Sequence, residues 1–480
     1  MLTGLAARLP AATPRPKLLV LVLLEQFRGD YLDTAASQLG TGGLRRLLEK
    51  GAYFPDCRHL ASGFSATAVA TLATGAWPAL HGIVADSWYD RSSRRAVTAS
   101  DEMRIAPTLA SQVVAADARN RVFVVAMDRS HAGIFTGTPE ARVFWMDENG
   151  RFTTLGEPPD WLEPFSAQKG PETAHAARWM AVGARADAPA LRILTYDDSR
   201  PQEFAALYKS SPFAQAAQFD LLSELIAREK LGQSGSVDFV CLLLGATERL
   251  GFETGARSVL MQQMTLDLDR RVESLLAQLS HSPGESGFNL VLAAAHGAPP
   301  EPPHDVRARM AVSGEPVAQA VEKGLAAAGS GHVEKYLYPF LYLDTSGIRD
   351  PEPLRIAAAR ASMQHPAVAG WFTAGGACSV HNQWELRFRN SFHATRSGDV
   401  MLSYRPDYVE DFGQGRGVSY GSLYNYDTSV PLCFYGPQFR AGLFESPVES
   451  VDVAPTLARA LGVGTPSSST GRVLGEALLE

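Results

Sequence analysis

The residues of this chain best suited to chemistry follow its most apolar runs. Glu25 closes LLVLVLLE (18–25), His296-Gly297 closes NLVLAAAHG (289–297), and Glu248 lies just beyond DFVCLLL (238–244). Ser65 stands in GFSAT, at the head of a helix-like run. Carboxylates and an imidazole at strand ends are ready ligands for a divalent metal and ready acid–base groups. A hydroxyl at the start of a helix meets unsatisfied backbone N–H groups and a positive dipole end, which suits an oxyanion or a phosphate. The residue before His296 is Ala295, which can neither bind a metal nor carry a proton. This strand end therefore presents an imidazole with no carboxylate beside it.

The elements that must position these groups are legible in the hydropathy pattern. LLVLVLL (18–24), VFVVAM (122–127), DFVCLLL (238–244), NLVLAAA (289–295), DVMLSY (399–404) and PLCFYG (431–436) read as strands. Their hydrophobicity is continuous rather than alternating, as expected of strands covered on both faces. GGLRRLLEKG (42–51) and DLLSELIAREKLG (220–232) supply amphipathic helices, the second predicted to start at a cap on Asp220 and stop at Gly232. The fold class expected is an α/β layered sandwich with a largely parallel sheet, one domain over 17–480. Residues 135–215 and 299–398 break the rhythm and read as cap-like insertions. Ligands of such sheets bind outside the carboxyl ends of the strands.

Composition excludes several alternatives. The chain has 480 residues, 45% hydrophobic and 20% charged, the balance of a globular protein with a large core. A net charge of −7 without a dense Lys/Arg block argues against a nucleic-acid surface. No apolar run reaches the ~18–20 residues needed to span a bilayer. The N-terminal MLTGLAARLPAATPRPK has no convincing apolar signal core. Cys57, Cys241, Cys378 and Cys433 show neither CxxC spacing nor the density of a disulfide scaffold.

Several ordered segments resemble one family. KLLVLVLLEQFRGDYLD, TGAWPALHGIVADSWYD, LGATERLGF, LAAAHGA, RSGDVML, GVSYGSLYNYDTSVP and VDVAPTLARALGVGTP match, in order, segments of the alkaline phosphatase superfamily. The likeness is to its type I phosphodiesterase/nucleotide pyrophosphatase branch and bacterial phosphomonoesterase relatives. That resemblance implies phosphoric-ester hydrolysis by a Ser or Thr nucleophile between two zinc ions about 4 Å apart, which clamp the attacking and leaving oxygens. It also implies an exported protein, so the compartment is left open.

Carried over position by position, the nucleophile falls on Ser65. Of six metal-ligand positions only His296 keeps the family's residue type. Glu25 and Glu248 stand for aspartates, and Phe252, Ala295 and Tyr420 occupy the other three. Asp86 replaces a phosphate-contacting Asn, and the Lys-x-Arg pair falls near Arg129 and His131. Zinc needs about three or four N, O or S ligands near 2.0–2.2 Å. The expectation is therefore a protein without the two-zinc site, holding no metal or one weakly bound divalent ion, zinc first among them. A small phosphorylated or other anionic ligand would bind near Ser65 and Arg129, or the chain would serve as an interaction protein. The competing expectation is a phosphate-ester hydrolase using one metal at Glu25 and His296, with Ser65 as nucleophile. A third is a metal-free Ser65–His296–Glu25 hydrolase. Without a metal, Glu25 and Glu248 are expected to pair with Arg28, Arg249 or His296, or to face solvent, because an unpaired buried charge is costly.

Overall fold

Strand-forming runs in this chain are apolar enough to be buried on both sides, and all nine residues of Leu18–Gln26 and of Phe288–His296 are buried. In the computed structural model, which describes residues 15–299, 311–329, 331–381, 383–406, 408–411 and 420–479, these strands sit side by side at the middle of a ten-stranded sheet. Five strands there run parallel, in the order Phe288–His296, Leu18–Gln26, Asp238–Leu244, Arg121–Ala126 and Arg142–Met146. Ser429–Tyr435 runs antiparallel beyond one side, with Ala52–Arg58 antiparallel to it and so aligned again with the five, and Phe152–Thr154 runs antiparallel beyond the other. Helices cover the sheet, among them Leu44–Lys50, Ser65–Thr74, Leu109–Ala116 and Val259–Leu279. The fold is a mixed α/β layered architecture with a mostly parallel central sheet, as its strand pattern predicts.

Register decides what the site can contain. Leu24 is level with Leu244 on one neighbour and Ala294 on the other, so three strands end together. Gln26, rather than Glu25, is level with His296. Side chains alternate faces along a strand, so Glu25 and His296 set out on opposite faces of the sheet.

Three sequence expectations are revised. DVMLSY does not join the main sheet: Val400–Tyr404 is an inner strand of a separate four-stranded sheet with Val333–Leu337, Phe340–Leu343 and Val368–Thr373. This second sheet is antiparallel throughout, and three of its strands, with the helices Glu315–Ala327 and Glu352–Ser362, lie in the 299–398 stretch, of which residues 300–310, 330 and 382 lie outside the described residues. Within 135–215, Arg142–Met146 and Phe152–Thr154 extend the central sheet, and the short elements from Leu162 to Lys209 follow. The predicted helix from Asp220 in fact begins at Pro212, where Pro occupies the first turn that needs no N–H donor. Asp220 lies inside that helix, and its carboxylate pairs with Lys169 at 2.7 Å.

Candidate functional site

Ser65 is the first residue of the helix Ser65–Thr74, whose ten residues are all buried. Its Oγ lies 2.7 Å from His296 Nε2 and donates to Glu248 Oε1 at 2.6 Å. His296 Nδ1 donates in turn to the Gly297 carbonyl at 2.7 Å. Burial favours the neutral imidazole, but Glu248 and the Gly297 carbonyl outweigh it and raise the His296 pKa. Burial likewise favours a protonated Glu248, yet His296, His131 and the Ser65 hydroxyl hold that carboxyl well below its usual range. The chain thus runs from imidazolium through hydroxyl to carboxylate. In it the Ser65 oxygen accepts from His296 and gives its proton to Glu248. Ser65 and His296 are each 0% exposed.

The carboxylate on Ser65 is therefore Glu248, not Glu25. Glu25 leaves the opposite face of its strand and meets His131, with Oε1 to Nδ1 at 2.6 Å. Burial pushes the Glu25 carboxyl up, and His131 only partly opposes this. Burial would lower His131, but the Glu25 charge and hydrogen bond reverse the effect and raise it. Glu25 Oε2 is buried without a hydrogen-bond partner among the described residues. It lies so close to Gly245 that a Cβ there would sit 2.6 Å from it. Neither arginine expected to neutralise these carboxylates does so: Arg28 pairs with Asp30 at 2.7 Å and Arg249 with Asp128 at 2.7 Å.

Arg129 and His131 both sit in the first turn of the helix Arg129–Thr136. Residues two apart on a helix do not share a face. His131 turns inward to Glu25, whereas Arg129 is exposed, with its guanidinium 5.5 Å from the Trp145 ring centre. Asp86 accepts from the Ala66 N–H at 2.8 Å and from the Tyr420 hydroxyl at 3.0 Å. Ala66 is the second residue of the Ser65 helix, so the end expected to meet an oxyanion already meets a side-chain carboxylate.

Phe252 and Tyr420 pack together, ring centres 5.1 Å apart, and Tyr420 lies 4.2 Å from the His296 ring. Ala295 is wholly buried in its strand. Above these residues opens a cleft of about 920 Å³ lined by Phe64, Asp86, Phe252, Tyr338 and Tyr420 on one side, with Arg249 also in the lining. Residues Thr195 to Ser210 supply further lining. Ser65, Arg129 and His131 do not line it.

Sequence reading missed Asp128, which joins Glu25 and His131 in a group whose ligand-capable atoms lie within 4.8 Å of one another. The signal was present, because Asp128 follows the strand VFVVAM just as Glu25 follows its own strand. Phe64, Phe204 and Tyr338 were also missed, and isolated aromatics carry no sequence signal of a cleft.

This cluster of strand ends, set on a largely parallel sheet and faced by a buried serine at a helix start, is the plan of the alkaline phosphatase superfamily. The crystal structure of wild-type alkaline phosphatase PafA superposes on it with a TM-score of 0.86 at 20% identity, covering 98% of this chain and 100% of that one. The family model for type I phosphodiesterase/nucleotide pyrophosphatase matches residues 19–409, and the chain belongs to that family. Alkaline phosphatase PhoV of Synechococcus elongatus is 23% identical over 98% of this chain and 94% of its own. Alkaline phosphatase PhoK of a Sphingomonas species is 27% identical over 98% and 92%. Among the described residues, no helix is long and apolar enough to cross a membrane.

Proposed function

We propose that this phosphoric-ester-hydrolase-like protein does not carry out two-zinc hydrolysis and uses its cleft to bind rather than to cleave. The observation that carries the reading is the state of Ser65: its hydroxyl is spent between His296 and Glu248, and the adjacent Ala66 N–H is taken by Asp86. The donors at the six family positions do not fit a zinc pair. Phe252 and Ala295 offer none, Tyr420 donates its hydroxyl to Asp86, and Glu25 is engaged by His131. Each metal would need about three or four ligands. Losing the charge stabilisation of a second metal removes several kcal/mol, and each 1.36 kcal/mol is about tenfold in rate.

A second reading is favoured by the Glu25–Asp128–His131 group, which could hold a single divalent ion. It requires His131 to lose a proton that Glu25 helps it keep, and Asp128 to leave Arg249. Turnover of p-nitrophenyl phosphate and bis-p-nitrophenyl phosphate with added zinc separates the two readings. No turnover above a Ser65→Ala control is expected. Zinc-dependent turnover abolished by Ser65→Ala would establish the hydrolase instead.

A further inference from the structure

The cleft is built of rings and carboxylates. Phe64 lies 6.2 Å from Tyr338 at 60° and 6.3 Å from Tyr420 at 73°, and Phe252 lies 5.1 Å from Tyr420 at 56°. None of these neighbours is stacked in parallel. Tyr338 is backed by Tyr404 at 4.6 Å and Tyr420 by His296 at 4.2 Å, which fixes the wall. Phe204 adds a fifth ring to the lining.

Negative charge is in excess in the cleft. Asp86, Asp197, Glu203 and Glu253 line it against Arg200 and Arg249. Both guanidinium groups are already engaged, Arg200 by Asp197 and Glu203 at 3.1 Å each, and Arg249 by Asp128. Arg192 in turn holds Glu253 at 2.9 Å, so the excess is carried by Asp86 and by the two carboxylates that share Arg200. The imidazoles behind the wall are matched by Glu25 and Glu248. A second cleft of about 880 Å³ shares Ser87 and Tyr338 with the first. Glu315, Glu322, Glu334 and Glu410 line it, against Lys335. Concave surfaces lined by one sign of charge focus their field into the cavity. A phosphate dianion entering here meets excess negative charge.

We infer that the cleft receives an organic cation, an alkylated ammonium group seated among Phe64, Phe252, Tyr338 and Tyr420. Ring faces attract such a group through their quadrupole, and the surrounding carboxylates add to that attraction. The inference rests on the reading of the cleft as a binding site.

Calorimetric titration of the full chain with tetramethylammonium chloride tests it, with neopentyl alcohol as a neutral probe of similar shape and inorganic phosphate as competitor. Saturable ammonium binding is expected, with the alcohol at least about tenfold weaker and no displacement by phosphate. Tyr338→Leu and Phe252→Leu should each weaken ammonium binding by up to about tenfold. Glu203→Gln, at an exposed position that leaves the core intact, should weaken it about twofold to threefold. Equal affinity for the alcohol, preference for phosphate, or affinity unchanged in all three variants would overturn the inference. Zinc-stimulated turnover is measured on the same sample. Turnover with ammonium selectivity intact defeats only the non-hydrolytic reading. Lost selectivity without turnover defeats only this one.

Discussion

The two sides of the strand-end site handle their polar groups in opposite ways. On the Glu25 side, charge is kept and matched: Glu25 holds His131, and Asp128 holds Arg249, each within 2.7 Å. On the Phe252 side, rings rather than charges are packed together, and the Tyr420 hydroxyl donates to Asp86. Ser65, Glu248 and His296 lie between the two sides. A buried charge is tolerated only when paired and hydrogen-bonded. A buried carboxylate such as Glu25 needs a cation beside it. A ring such as Phe252 does not. The difference also predicts where the site is fragile.

The largest effect is expected from stranding a charge on the Glu25 side. His131→Ala leaves Glu25 buried without its partner and should destabilise the protein by about 3–5 kcal/mol in urea unfolding. Glu25→Gln added to that variant should recover much of the loss. A loss no greater than that of Phe252→Ala would erase the contrast between the two sides.

The same pair sets a pH dependence. His131 is raised from 6.5 to about 10 in the fold, so its contribution is complete below about pH 6.5 and is lost as pH climbs through about 10. Glu25, raised from 4.5 to about 7, acts with the same sign, favouring the fold less as pH rises through 7. Stability should therefore fall from about pH 4.5 to about pH 10, with Glu25 acting up to about 7 and His131 above about 6.5, and His131→Gln should flatten the upper part of the slope. An unchanged slope in that variant would remove the ion pair from the account.

Legibility differed along the same divide. The parallel sheet was readable because continuous Leu and Val runs have few other places to go, and residues after such runs cluster at one end of the sheet. His296 and Glu248 were found by that rule and Ser65 by its place at a helix start; Ser65 does meet His296, but the carboxylate it meets is Glu248 where Glu25 was expected. The partner of Glu25 was not found, because it depends on a register in which Gln26, one residue further on, is level with His296. DVMLSY was assigned to the wrong sheet, since an apolar run states that it is buried but not against what. The cleft was invisible, because its rings come from distant parts of the chain, at 64, 204, 252, 338 and 420.

On the aromatic side the expected effects are smaller. Tyr420→Phe removes the hydroxyl that donates to Asp86 and also meets Ser65 and Glu248; Asp86 keeps its bond from Ala66, and the loss should cost about 1–2 kcal/mol. A cost as large as that of His131→Ala would mean that Asp86 depends on Tyr420 as strictly as Glu25 depends on His131. Restoring donors sharpens the contrast from the other direction. Ala295→Asp, Phe252→His and Tyr420→His together should raise zinc uptake above that of the unaltered chain. A folded triple variant with no uptake would show that these positions were assigned wrongly.

Most direct is a count of bound metal. The purified chain is equilibrated with excess zinc, desalted and measured by atomic absorption. The account predicts that less than one zinc per chain is retained. Two zinc ions per chain, surviving desalting and lost on mutation of Ser65, Glu248 and His296, would contradict it.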